Sequence, residues 1–526
     1  MKVLVSDNLA EAGIKILKQT PGIEVDVKVG LSHEELKKII PEYDAIIIRS
    51  ATKIDAEIIK EAKKLKVIGR AGVGLDNVDI KAATQKGIVV MNTPGGNAIT
   101  TAEHTIALMM ALSRNIPQAD ASLKQGKWEK KKFQGRELFN KTLGIIGFGQ
   151  IGRIVADRAK GLKMKVIAYD PYIKPEVMEK MEVEPVSLDE LLRRSDYITI
   201  HTPKTKETEN LINKETIKKM KKGAMLINCA RGGIVNEEDL YEALKSGHLA
   251  GAALDVFSKE PPGKIPLMEL PNFICTPHLG ASTYEAQEKV AVDIANQVIL
   301  YLLHGTVKNA VNVPSISAEL MNILRPYARL MEKMGLLQAQ LAESPIEEVR
   351  LDYAGTITQY DTAPLTTAFL KGLLTPALKD DVNFVNAPLI AEERGIKVIE
   401  SKSSTSEDFA TLITTHVKMS HGENTVAGTI FGKERPRLVK INDFYVEAIP
   451  EGHNLFIHSL DKPGVIGMIG TILGKNGINI NRMQVGQEPK KQQNVILLST
   501  DVPVSDEVLG ELQSQKDVFS VKRIEL

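Results

Sequence analysis

The stretch Lys141–Asp170, KTLGIIGFGQIGRIVADRAKGLKMKVIAYD, decides the architecture of this chain. It reads as a short apolar strand (Leu143–Ile146), a glycine turn (Gly147, Gly149, Gly152), a helix, a second strand (Val166–Tyr169) and a terminal Asp170. The chain leaving the first strand must reverse tightly, which Gly147 permits. Gly149 removes a side chain where a pyrophosphate approaches the backbone, and Gly152 lets helix and strand pack closely. The helix N-terminus offers unpaired N–H groups and a partial positive charge to the phosphates. Asp170 follows Gly152 by 18 positions, near the roughly 20 at which an acid meets the ribose hydroxyls. Its carboxylate repels a ribose 2′-phosphate, so the expected cofactor is NAD rather than NADP.

The 526 residues around this unit allow three or four domains, at roughly 150 residues each. With 43% hydrophobic and 25% charged residues the composition is that of a globular protein, and the formal charge of +1 gives no global field for nucleic acid or anionic membrane. Two cysteines, Cys229 and Cys275, exclude a disulfide scaffold and fit a reducing compartment. The N-terminal MKVLVSDNLAEAG lacks the apolar core of a signal peptide, and no apolar run is long enough to span a membrane. The expected location is the cytoplasm.

Short apolar runs alternate with amphipathic segments over residues 2–92, with candidate strands at Lys2–Ser6, Glu24–Val27, Ala45–Ile48, Lys66–Gly69 and Ile88–Met91. Strands separated by helices predict a parallel sheet covered on both faces. An apolar helix follows at Thr100–Leu112. Past the glycine turn, strands are expected at Tyr197–His201, Ala224–Asn228, Gly251–Asp255 and Phe273–Thr276, and a helix at Thr283–Leu303. After about Val313 the pattern changes to a mixed type, with β-like runs at Glu347–Tyr353 and Asn424–Phe431. The last segment reads as strand, helix, strand, strand, helix, strand: Leu455–Ser459, Val465–Lys475, Ile478–Val485, Val495–Thr500, Asp506–Ser514 and Val518–Ile524. That order is the ferredoxin-like split βαβ arrangement.

Three strand ends carry residues that packing alone does not need. Asn228-Cys229-Ala230-Arg231-Gly232-Gly233 follows an apolar run, and ligands of parallel sheets lie beyond such carboxyl ends. The planar fork of Arg231 suits a carboxylate. Asp255 ends the next strand, with Glu260 ahead of Pro261-Pro262. His278 lies just past the last short strand, in Thr276-Pro277-His278-Leu279-Gly280-Ala281. Oxidation of an alcohol needs a base near neutrality, for which histidine is suited, and a carboxylate such as Glu260 fixes its tautomer. His201, at another strand end, is a rival base, and spacing does not choose between the two. Lys130–Lys132 offer positive charge, and Lys433, Arg435 and Arg437 form a basic turn that suits an anion or simply solvent.

These motifs occur in the order seen in the D-2-hydroxyacid dehydrogenases, which the chain resembles over about 310 residues. Arg49-Ser50 and the run Gly69–Asp79, GRAGVGLDNVD, resemble that family's N-terminal substrate and nicotinamide loops. With its C-terminal extension, the whole chain resembles the long members that oxidise 3-phospho-D-glycerate to 3-phosphohydroxypyruvate, the entry to serine synthesis. The resemblance implies a catalytic trio of Arg231, Glu260 and His278. It also implies NAD contacts from Val73, Gly147, Gly149, Gln150, Ile151, Gly152, Asp170, Thr202, Cys229, Ala230, Arg231, Asp255, His278, Leu279, Gly280 and Ala281. Substrate would meet Arg49, Ser50, Gly72, Val73, Arg231 and His278. No metal is implied, and a homo-oligomer, a tetramer, is expected.

The same resemblance implies an α/β fold in which a Rossmann-type NAD domain (98–281) is inserted in a flavodoxin-like substrate domain (1–97 and 282–314). A mixed α+β intervening domain (315–452) and a ferredoxin-like domain (453–526) follow. The last segment resembles an ACT module through Asp461-Lys462-Pro463-Gly464 and Asn476-Gly477-Ile478-Asn479-Ile480. Such modules bind amino acids where two copies meet, which implies L-serine as effector and Ser459, Asp461 and Asn479 as its contacts. Ser459 stands where the family often has a larger polar or aromatic ring. Other D-2-hydroxyacids, of the glyoxylate or lactate type, and an NAD-sensing corepressor-like protein are the alternatives. Formate oxidation is disfavoured, since it needs no base and leaves Glu260 without a purpose.

Overall fold

The computed structural model describes residues 1–314, 318–406, 408–488 and 492–526. The expected start of the third unit, at residue 315, lies outside the described residues. Four sheets organise the rest. The first has five strands in the order Glu24–Val27, Lys2–Val5, Ala45–Ile48, Val67–Arg70, Val89–Met91, all parallel. Its central strands are apolar without alternation, because helices bury both faces. One covering helix, Tyr284–His304, comes from much later in the chain: Val290, Ala291, Ile294 and Val298 share a core with Val3, Val5, Ala45 and Val67. Asn312 then accepts a hydrogen bond from the Val90 N–H and donates to the Ile88 carbonyl, tying the return segment to the sheet.

The second sheet has seven parallel strands, in the order Phe273–Cys275, Gly251–Leu254, Met225–Asn228, Tyr197–Ile200, Thr142–Ile146, Lys165–Tyr169, Glu184–Pro185. Strand order reverses beside Thr142–Ile146, and the crevice beyond such a switch point is where α/β sheets take ligands. The long helix Ala98–Ser113 packs on this sheet beside the helix Gln150–Gly161.

The third sheet has six strands, mixed in direction: Lys397–Ser403 runs parallel to Ile346–Gly355 and the remaining pairs are antiparallel. Two packed helices, Ala318–Leu341 and Ala363–Leu378, share its core. This unit grips the first one. Gln85 donates to Glu393 (2.8 Å), Asn383 donates to the Gly87 carbonyl (3.1 Å), and Val385 enters the first unit's core.

The fourth sheet is antiparallel, in the order Ile480–Glu488, Gln493–Thr500, His453–Leu460, Val518–Glu525. Its helices Val465–Lys475 and Asp506–Gln513 cover one face. From the other face Phe456, Val495, Leu497 and Ile524 pack into the core of the third unit. Among the described residues no helix is long and apolar enough to cross a membrane.

Candidate active site

The carboxyl ends of the first two sheets face one another across a cleft of about 590 Å³, lined by Arg49, Ser50, Arg70, Gly72, Glu260 and His278 among others. On the side of the first sheet, buried Asp7 accepts hydrogen bonds from the N–H groups of Arg49 and Thr52 and from the Thr52 hydroxyl. Asn77 donates to the Arg49 and Thr52 carbonyls at 2.7 and 2.6 Å. The loop that presents Arg49 and Ser50 is therefore fixed by side chains from two neighbouring segments. Arg70 ends its strand in the same way and is largely buried, and its Nε has no partner. Burial, with help from the charge of Arg231, lowers its pKa to about 10, so it stays a cation at neutral pH. Gly72 lines the cleft, and the Val73 carbonyl accepts from Asn92 (2.6 Å).

Opposite, Asn228 shapes its own loop. Its Oδ1 accepts from the Ala230 N–H and its Nδ2 donates to the Arg231 carbonyl, both at 3.0 Å. Arg231 Nη1 donates to the Ala230 carbonyl (2.7 Å). Glu260 is held at both oxygens: Oε1 accepts from the Phe257 N–H (3.0 Å), and Oε2 lies 2.7 Å from His278 Nδ1. His278 itself has φ +57°, a conformation costly for a residue with a Cβ. Asp255 enforces it. That buried carboxylate accepts from the N–H groups of Leu279 (2.7 Å) and Gly280 (2.8 Å), from the Thr276 hydroxyl (2.5 Å), and faces His104 Nε2 at 3.3 Å. Burial alone would raise its pKa, but these donors outweigh burial and hold it below the ordinary carboxylate range. Asp255 thus organises the loop Thr276–Ala281 from beneath.

The glycine turn matches the shape a pyrophosphate requires. Gly147 has φ +93°, and a Cβ there would sit 2.7 Å from the His201 carbonyl oxygen; one on Gly152 would sit 2.2 Å from that of Gly147. Space is open at Gly149, and no side chain caps the helix that Gln150 and Ile151 begin. Asp170 accepts from the N–H groups of Phe148 and Tyr172 at 2.8 and 2.9 Å, which sets its carboxylate at the turn. The buried Thr202 hydroxyl has no partner. An unfilled donor, an uncapped helix and a Cβ-free gap fit a dinucleotide laid along these strand ends. Cys229 is buried, its thiol pushed up to about 12, so it serves there as a neutral apolar surface. Ala230 is buried beside it.

His201 stands apart from this cluster. Burial pushes its pKa down to about 3, and Nε2 is spent on the Thr199 hydroxyl (3.0 Å). Lys130–Lys132 lie on an exposed loop that does not line the cleft. In the fourth unit Ser459 is fully buried and its hydroxyl donates to Asn494 (2.6 Å), so it supports Asn494 rather than facing a ligand. Asn494 in turn points its Nδ2 at Asp461 (3.5 Å). Asn479 is exposed beyond the other end of the helix Val465–Lys475 and is fixed through Asp501. One chain therefore does not bring Asp461 and Asn479 together.

Residues 106–280 match the D-isomer specific 2-hydroxyacid dehydrogenase NAD binding domain, 323–442 the D-3-phosphoglycerate dehydrogenase intervening domain, and 453–517 the ACT domain. D-3-phosphoglycerate dehydrogenase of Archaeoglobus fulgidus is 47% identical over 100% of this chain and 100% of its own length. The Synechocystis enzyme of that name is 46% identical over 99% of this chain and 94% of its own length. Among solved structures, an NAD-dependent formate dehydrogenase from Staphylococcus aureus in complex with NAD superposes with a TM-score of 0.54 at 33% identity, covering 60% of this chain and 100% of that one.

Proposed function

The chain belongs to the D-3-phosphoglycerate dehydrogenase family, and we propose that the cleft residues described above are the machinery with which it oxidises 3-phospho-D-glycerate to 3-phosphohydroxypyruvate. The enzyme is an NAD-dependent dehydrogenase, and its reaction begins L-serine synthesis. When bound along the strand ends of the second sheet, NAD supplies the two-electron acceptor. Gly147–Gly152 would hold its phosphates, Asp170 the adenosine ribose, and Thr202, Cys229, Ala230 and Leu279–Ala281 the remainder, with Val73 at the nicotinamide end.

Arg231 takes the substrate carboxylate in its planar fork and so orients C2. Glu260 fixes the Nδ1 side of His278, which leaves Nε2 to accept the C2 hydroxyl proton as C2 is oxidised. The 2.7 Å contact between these two side chains is the observation that carries the reading. Arg49, Ser50 and Arg70 meet the polar ends of the substrate, and three cations in one cleft suit a ligand bearing both carboxylate and phosphate. A base held this way serves any D-2-hydroxyacid, so the full-length relationship selects among substrates. The division into 1–97 with 282–314, 98–281, 315–452 and 453–526 remains our reading, supported by the four sheets. We also place the enzyme in the cytoplasm, where its two free cysteines stay reduced.

The assembly we propose is a homo-oligomer, with a tetramer favoured. Support comes from large side chains left in water on the helices Ala98–Ser113 and Ile116–Lys124 and the loop after them: Met110, Ile116, Leu123, Trp128 and Phe139 are all exposed, Trp128 by 82%. Covering such a patch is what an interface does. Sedimentation should show the parent as an assembly and Trp128→Glu as a smaller species. A monomeric parent removes the proposal.

L-serine is the effector we propose for the ACT unit, bound between two copies so that Asp461 of one meets Asn479 of the other. Serine inhibits only if it prefers the less active arrangement. Titration of the full chain should lower activity, and a chain ending at Pro314 should lose the response but keep turnover. The formate dehydrogenase above matches 60% of this chain over 100% of its own length, which supports a shorter chain as the comparison. Inhibition that survives truncation would move the serine site elsewhere.

A further inference from the structure

Two loops meet across the cleft. One follows the strand Val67–Arg70 and carries Asp76; the other follows Met225–Asn228 and carries Arg231. Asp76 Oδ2 lies 3.5 Å from Arg231 Nε. The approach depends on glycine at position 74, where an added Cβ would sit 2.7 Å from Arg231 Nη2 and 2.9 Å from Asp76 Oδ2. Three guanidinium groups converge here, since Arg49 and Arg70 line the cleft and the charge of Arg231 acts on Arg70.

The acids around them are not equivalent. Glu260 is committed at both oxygens to Phe257 and His278, and Asp7 is buried under the Arg49 loop. Asp76 is different: its side chain is 76% exposed, against 31% for Arg231. Among the described residues its carboxylate accepts no hydrogen bond; besides the ion pair with Arg231, its charge acts on Arg70. It is free to leave.

We infer that Asp76 is a positioning residue that occupies Arg231 in the substrate-free enzyme and gives it up to the substrate carboxylate. The inference rests on the reading that Arg231 binds that carboxylate. Exchange of one carboxylate for another keeps Arg231 paired with a negative charge in both states. The exchange carries a cost, which an exposed ion pair limits to at most about fivefold in affinity. Because the loops of Asp76 and Arg231 follow strands of different sheets, the pair also bridges the two walls of the cleft until the substrate arrives.

The test compares Asp76→Asn, Asp76→Ser and Asp76→Glu with the parent, all loaded with NAD. Calorimetry gives the Kd of oxalate, a plain carboxylate probe, and steady-state kinetics gives KM and kcat for 3-phospho-D-glycerate. Both neutral variants should bind oxalate about two- to fivefold more tightly and lower KM by a similar factor, without an increase in kcat. Glutamate should return both constants toward the parent, and added salt should compress the differences, as for any exposed pair. Weaker oxalate binding with a higher KM in both neutral variants would overturn the inference, because Asp76 would then be a support that Arg231 needs. Unchanged constants would overturn it too. Arg231→Gln separates the two levels: if that variant binds oxalate as the parent does, the role given to Arg231 fails first.

Discussion

Replacing His278 with Gln lowers kcat by about 10²-fold or more and leaves NAD binding in place. The loss follows from removing a positioned proton acceptor, whose help is typically worth 10²–10⁴ in rate. Glutamine keeps much of the side-chain volume and can still meet Glu260, so the loop Thr276–Ala281 should hold its shape. NAD affinity, followed by fluorescence of the reduced cofactor, distinguishes a lost base from a collapsed site. Near-normal turnover in this variant would reassign the proton transfer. His201 would be a poor successor, since burial holds it neutral and uncommitted to the cleft.

The second large effect is expected at Asp255, which touches no substrate in the reading given above. Asp255→Ala leaves the buried Gly280 N–H and the Thr276 hydroxyl without their acceptor and frees the Leu279 N–H. The cost in stability is on the order of 3 kcal/mol, from unpaired donors at roughly 1–3 kcal/mol each. Activity should fall with it, because His278 keeps its φ of +57° only while this loop is tied down. The pH dependence has a definite sign. The Asp255 carboxylate is held below its ordinary range, so the folded chain takes up this proton less readily than the unfolded chain. Its stabilisation is full above the unfolded value of about 3.9 and is lost as pH falls through the lower folded value. Denaturation of parent and variant should therefore differ most at neutral pH and converge in acid. A variant as stable as the parent at pH 7 would contradict this role.

Much of this site was legible because parallel sheets impose a rule: chemistry collects where apolar strands stop. Arg231, Asp255 and His278 each stand within three residues of such an end. Arg70 obeys the same rule, as the last residue of Val67–Arg70, and the rule applied evenly names it. Other features were hidden for physical reasons. The Glu260–His278 bond joins residues 18 apart through a loop whose course no periodicity encodes. Asp7 and Asn77 work by holding backbone, which leaves no pattern in a sequence. Ser459 enters through the resemblance alone; on its strand it shares the helix-covered face with Leu455 and Ile457 and turns inward to Asn494. The third unit read as a mixed type in which only two β-like runs were placed. Its helix Ala363–Leu378 is apolar nearly all round and presents no clean amphipathic period, because the sheet, the helix Ala318–Leu341 and the helix Ala387–Glu393 enclose it.

The most direct measurement is NAD reduction by the full chain across a panel of D-2-hydroxyacids: 3-phospho-D-glycerate, D-glycerate, D-lactate and glycolate, with NADP in parallel. The highest kcat/KM should belong to 3-phospho-D-glycerate with NAD, since only that substrate engages the carboxylate site at Arg231 and the cations at Arg49 and Arg70 together. D-glycerate, which keeps the carboxylate and hydroxyl and lacks the phosphate, should lose mainly in KM. Turnover of D-lactate or glycolate at equal or higher kcat/KM, or a preference for NADP over NAD, would contradict it.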